Sequence, residues 1–110
     1  MTVLIADSDL VTRTLVEKSL NGSGYELAIA ATPQEALISL LAQPQINAVV
    51  LDGKVSNGFG SGLCKQLRQR AGDRPLFVIM MIRREDGIDV RAALNGGANE
   101  VINKPVNTDE

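Results

Sequence analysis

The sequence predicts an α/β fold of three layers, in which a doubly wound, five-stranded parallel sheet carries helices on both faces. Three observations lead there. Short aliphatic runs alternate with helix-length amphipathic stretches along the whole chain. Two of the runs, VVL at 49–51 and LFVIMMI at 76–82, are apolar throughout, as strands covered on both faces must be. The chain has 110 residues, enough to bury one core and too few for a second domain.

Each element has its own signal. Residues 3–6 form an apolar run closed by Asp7, after which Leu10, Val11, Leu15, Val16 and Leu20 recur at helical spacing until Asn21-Gly22 stops them. Residues 25–30 form a second run. Thr32-Pro33-Gln34-Glu35 then reads as a capping box with proline at the first helical position, opening a helix that carries Ala36, Leu37, Leu40 and Leu41 inward. The third strand, 47–51, ends at Asp52, and a glycine-rich stretch over 53–60 leads to a helix with Leu63, Cys64 and Leu67 on one side. The fourth strand is 76–82. A helix follows over 85–95, stopped by Gly96-Gly97, and 100–102 makes a short fifth strand. Five β/α units in series give a parallel sheet with right-handed crossovers.

Composition excludes several chemistries. The chain is 45% apolar and 22% charged with a net charge of −2, so no overall attraction to a phosphate backbone is expected and direct nucleic-acid binding is disfavoured. Aromatics are limited to Tyr25, Phe59 and Phe77, too few for base-stacking platforms. A single Cys64 and no histidine remove disulfides, the usual zinc sets and Cys–His dyads, so any metal must sit on oxygen ligands. The start MTVLIADSD does not read as a signal peptide, and no run approaches the ~20 residues of a membrane span. A cytoplasmic protein without membrane contact is expected.

In a doubly wound sheet, ligands bind beyond the C-terminal strand ends. There the sequence places Asp7-Ser8-Asp9, Asp52 and Lys104-Pro105. Two carboxylates ~4–5 Å apart repel by roughly 3–4 kcal/mol at an effective dielectric near 20. An ammonium and a hard divalent cation would offset this, and Mg²⁺ suits a site of one or two carboxylates. Asp9 reads as the cap of the first helix, Cys64 as a small buried apolar residue, and Arg83-Arg84 as a solvated pair.

On these residues, together with GFGSGLCKQLR at 58–68 and GGANEVINKP at 96–105, the chain resembles the receiver domain of two-component response regulators of the chemotaxis-regulator type. The resemblance runs from Val3 to Val106, and the chain is read as one receiver domain over 1–110. It implies a flavodoxin-like sheet of order 2-1-3-4-5. It implies Asp52 as phosphoacceptor, Lys104 as phosphoryl contact, and Mg²⁺ held by Asp7, Asp52 and the backbone carbonyl of Lys54. A sensor histidine kinase or phosphotransfer protein would donate the phosphoryl group, and an output domain or partner protein would read it. Such a domain is not an enzyme beyond self-phosphorylation and slow autodephosphorylation. Lys104-Pro105 is expected to be cis.

The pattern is broken at several positions. Ser8 stands where the family has a second acidic ligand, which weakens metal binding or routes it through water. The family's switch hydroxyl falls on Ile82 and its switch aromatic on Val101, so the pair cannot hydrogen-bond a phosphoryl oxygen. Arg83 replaces a small residue. Either Arg83 or Lys54 contacts the phosphoryl group in place of the hydroxyl, or one of them pairs with unmodified Asp52. Thr108-Asp109-Glu110 reads as the start of a fifth helix that is cut short, leaving an apolar face that would favour a homodimer. The alternative function is a degenerate receiver that binds partners without phosphorylation.

Overall fold

The computed structural model describes residues 1–54 and 58–104. The elements run β1 (Thr2–Ala6), α1 (Leu10–Leu20), β2 (Glu26–Ala30), α2 (Pro33–Ala42), β3 (Ile46–Asp52), α3 (Ser61–Ala71), β4 (Phe77–Ile82), α4 (Val90–Asn95) and β5 (Glu100–Asn103). All neighbouring strands are parallel, in the order β2-β1-β3-β4-β5. After β2 the chain crosses to the other side of β1, and the topological switch therefore falls between β1 and β3.

Alternation along the strands sorts the side chains onto two faces. Leu4, Ala6, Val49, Leu51, Val78, Met80 and Ile82 join Ala36 and Leu40 of α2 and Leu63, Cys64 and Leu67 of α3 in the larger core. Val3, Ile5, Val50 and Met81 meet Val16 and Leu20 of α1 in a smaller one. On this second face Phe77 is 45% exposed and Ile102 37%, and both border apolar hollows. An apolar strip of sheet thus lies open beside α1. The expected start of a fifth helix at 108–110 and the expected cis bond to Pro105 lie outside the described residues.

The caps match the sequence signals. Asp9 caps α1 by accepting from the Val11 N–H, and Thr32 accepts from the Glu35 N–H with Pro33 in the first turn of α2. Two expectations fail for local reasons. The helix expected over 85–95 is split: residues Arg84–Asp86 make a 3₁₀ turn closed by Gly87 at φ 65° in the left-handed region, and Asp89 caps a separate α4. A left-handed glycine followed by a new capping side chain is a stop and a restart, and it outweighs the apolar spacing. Leu41, expected to point inward, is 52% exposed, because Ala36 and Leu40 already define the narrow buried stripe of α2.

Two arginines tie distant loops to the sheet. The Arg68 guanidinium donates to the carbonyls of Gly97 (2.7 Å) and Leu76 (2.9 Å) and to Asn99 Oδ1 (2.7 Å), and Asn99 Oδ1 also accepts from the Val78 N–H at 2.8 Å. The turn that leads into β5 is thereby fixed against β4. Arg74 donates in the same way to the carbonyls of Leu40 (3.0 Å) and Ile46 (2.7 Å).

Gly53 is pinned between β3 and β4. Its N–H donates to the Met81 carbonyl at 2.7 Å, and a Cβ there would lie 2.8 Å from Ile82 Cγ2 and 2.9 Å from Met81 O. One of those contacts is backbone, so no rotamer change relieves it. Gly53→Ala is expected to cost about 1–3 kcal/mol, typical of overpacking, read as a lower urea midpoint at unchanged m-value.

Candidate functional site

The sheet brings three polar residues to the C-terminal ends of β1, β3 and β5. Asp7 directly follows β1, Asp52 ends β3, and Lys104 directly follows β5. Their backbones are held by neighbouring strands: the Asp7 N–H donates to the Ala30 carbonyl at 3.0 Å and the Lys104 N–H to the Ile82 carbonyl at 2.7 Å. Arg13, one turn into α1, donates to the Asp7 carbonyl at 2.7 Å. The strand ends are thus rigid platforms, and their side chains converge.

Both acids are buried, Asp7 at 0% exposure and Asp52 at 3%. Asp7 Oδ1 accepts from the Asp9 N–H at 2.8 Å, and Asp52 Oδ1 accepts from the Lys54 N–H at 3.0 Å. The Lys104 ammonium sits between them, 2.6 Å from Asp7 Oδ2 and 3.1 Å from Asp52 Oδ1, with its side chain 4% exposed. It donates a directed hydrogen bond to Asp52. Toward Asp7 Oδ2 it is close but poorly aligned, and that buried oxygen accepts no hydrogen bond. The contact to Asp7 is therefore one of charge.

Two carboxylates and one ammonium leave a net negative charge where water is scarce. Burial pushes the Asp52 carboxyl above its ordinary value, and the neighbouring Asp7 charge adds to the rise; the Lys54 N–H and Lys104 act against it. Asp9 is shifted the other way, chiefly by the Thr12 hydroxyl, which donates to Asp9 Oδ2 at 2.9 Å.

Around this cluster lies an open cleft of about 380 Å³ lined by Asp7, Ser8, Asp9, Asp52, Lys54, Arg83, Glu85, Asp86 and Lys104. Acids outnumber bases on its walls, a lining suited to a cation. Ser8 and the Lys54 side chain are exposed. Arg83 is not simply solvated, as its sequence suggested: its guanidinium lies 3.3 Å from Asp9 Oδ2. Of the two pairings left open for unmodified Asp52, neither Lys54 nor Arg83 is the ion-pair partner; Lys104 is. Ile82 is 5% exposed and faces the larger core, and Val101 packs against the same core from β5. Asp9, which the sequence placed at this strand end and read as a helix cap, is also a wall of the cleft, whereas Glu85 and Asp86 beside it were not legible in sequence. The latter two sit there because the expected helix begins later.

A family model described as response regulator receiver domain matches residues 3–110. The chain belongs to that family. The receiver is 33% identical over 109 residues to the response regulator MprA of Mycolicibacterium vanbaalenii, covering 98% of the chain and 46% of the relative. It spans about half the length of that curated relative. Among solved structures, a Chloroflexus aurantiacus protein assigned as a response regulator superposes with a TM-score of 0.82 at 32% identity, covering 94% of this chain and 84% of that one. A Burkholderia pseudomallei response regulator, whose structure holds a phosphorylated aspartic acid, a calcium ion and citrate, shares the fold with a TM-score of 0.76 at 21% identity, covering 98% and 62%.

Receiver domains in general bind Mg²⁺, and the donor set here fits it. Among the described residues no three Asp, Glu, Cys or His side chains form a metal cage. Magnesium does not need one, since it takes one or two carboxylates and keeps several waters. Asp7 Oδ2, which meets the Lys104 ammonium at 2.6 Å without accepting a directed hydrogen bond, is a carboxylate oxygen that such a cation would share.

Removing Lys104 strands two buried carboxylates. Lys104→Met is expected to cost about 3–5 kcal/mol in metal-free buffer, measured by urea unfolding. Asp52→Asn has the opposite sign. Because the folded pKa of Asp52 lies above its ordinary value of 3.8, its stabilising contribution is fully present below that pH and is lost as pH rises through the folded value. The stability of Asp52→Asn relative to the parent, read by urea unfolding across pH, should therefore grow as pH rises above 3.8 and through the raised folded value.

Proposed function

We propose that this domain accepts a phosphoryl group on Asp52 and, through the change that follows, signals to an output domain or partner protein. The observation that carries the reading is a buried carboxylate at a strand end, bonded by a buried ammonium and a backbone N–H and standing beside a second acid, at the mouth of a cleft. Such a group is costly to keep for stability alone. The family and the phosphorylated aspartate of the Burkholderia relative support it.

The step is a substitution at phosphorus. A carboxylate oxygen of Asp52 bonds to phosphorus as the P–N bond of a phosphohistidine, or the P–O bond of a small acyl phosphate, breaks. The leaving group takes the bonding electron pair, and an imidazole then picks up a proton while an acyl carboxylate needs none. The product is an aspartyl phosphate, a mixed anhydride. The chain has no histidine, so a phosphohistidine donor belongs to another domain or protein, a sensor kinase or a phosphotransfer protein. Lys104, already bonded to Asp52, pairs with a phosphoryl oxygen. Asp7, Asp52, the Lys54 carbonyl and Ser8 through water would hold Mg²⁺. That ion would supply neutralisation of the charge on the transferring phosphoryl group. The domain is thus a substrate of phosphorylation rather than an enzyme with turnover.

Incubation with acetyl phosphate and Mg²⁺, followed by intact mass measurement, tests this. Gain of one phosphoryl group by the parent and none by Asp52→Asn is expected. Gain by both would move the acceptor elsewhere, and gain by neither would contradict the reading.

A further inference from the structure

We propose that Arg83 holds the phosphoryl group of modified Asp52, leaving Asp9 to do so and replacing the hydroxyl that Ile82 lacks. This rests on the phosphoacceptor reading above and assigns it a further residue.

Residue 82 offers no polar atom, and its side chain is committed to the larger core against Gly53. Residue 83 is placed differently. Its backbone is extended at φ −105°, ψ 144°, so strand alternation continues through it and puts it on the face opposite to Ile82. Met81 is level with Asp52 in the ladder. Two residues further along the adjacent strand, Arg83 Cα lies about 8 Å from Asp52 Cα at ordinary sheet spacings. An arginine side chain meeting a phosphoryl group covers that span, and both residues line the one cleft.

The present partner of Arg83 holds it loosely. The contact to Asp9 Oδ2 is a single one of 3.3 Å, with both side chains 39% exposed, and pairs of this kind contribute little. Asp9 keeps its other bonds when Arg83 leaves: the Val11 N–H donates to Oδ1 at 3.1 Å and the Thr12 hydroxyl to Oδ2 at 2.9 Å. A phosphoryl group, by contrast, offers oxygens that a guanidinium can grip with two parallel N–H bonds. The exchange trades a weak, half-solvated contact for a strong one. Lys104, held between the two carboxylates, remains where it is. Arg83 heads the 3₁₀ turn Arg84–Asp86, and Asp9 caps α1, so the exchange moves one segment and releases another. Here the phosphorylated state is reported by a charge leaving α1 for β4.

The full chain is phosphorylated with acetyl phosphate and Mg²⁺, desalted rapidly into Mg²⁺ buffer, and followed by intact mass as water returns Asp52 and inorganic phosphate. Arg83→Ala should lose its phosphoryl group about tenfold faster than the parent, the size of one charge-assisted hydrogen bond. Arg83→Lys should fall between them, keeping the charge without the fork. Asp9→Asn, which retains the cap while freeing Arg83, should decay more slowly than the parent. Arg91→Ala, which removes an exposed arginine of α4 outside the cleft, should decay as the parent does. Equal or slower decay in Arg83→Ala, or an equal acceleration in Arg91→Ala, would overturn the assignment while leaving Asp52 as acceptor. Failure of the parent to take up any phosphoryl group would instead remove the reading on which it rests.

Discussion

The ammonium of Lys104 lies between two buried carboxylates, and the rest of the site is arranged around that compromise. One positive charge faces two negative ones where solvent cannot share the burden, so the cluster is only partly neutralised. The fold makes this tolerable by rigidity. Asp7, Asp52 and Lys104 each stand at or just past a strand end whose backbone is bonded to the next strand. The two cores beneath them are built largely of aliphatic side chains, and Arg68 fastens the turn that delivers β5. The Asp7 carboxylate meets Lys104 by charge alone, and a cation would add to that partial neutralisation.

Much of this was legible in the chain because the signals are local. An acid that closes an aliphatic run must stand at a strand end, and the parallel order brings the ends of β1 and β3 together whatever the details of packing. Asp7, Asp52 and Lys104 could be picked on that ground. Thr32 with Glu35 and the terminal glycines likewise act within a few residues. The split before α4 was equally local, in Gly87 and Asp89, but the apolar spacing over 85–95 masked it. What spacing could not reveal depends on side-chain direction across the fold. Arg83 and Asp9 are separated by 74 positions, and nothing near either one names the other. The carbonyls bound by Arg68 and Arg74 are of the same kind.

If Arg83 holds the phosphoryl group as proposed, the switching chemistry of the site has moved by one residue from Ile82. An aliphatic side chain at 82 completes the core beneath Gly53, and the polar function passes to the next position, which the alternation of β4 turns toward the cleft. Such a relay uses charge where a hydroxyl would use a neutral hydrogen bond. It couples Asp52 to the cap of α1 rather than to the aromatic position, which is here Val101.

The under-neutralised cluster of Asp7, Asp52 and Lys104 should take up a divalent cation. The most direct measurement is thermal unfolding by far-UV circular dichroism across a Mg²⁺ titration, with Asp7→Asn beside the parent. The midpoint should rise with Mg²⁺ in the parent and stay flat in Asp7→Asn. An indifferent parent, or an equal rise in both proteins, would contradict it.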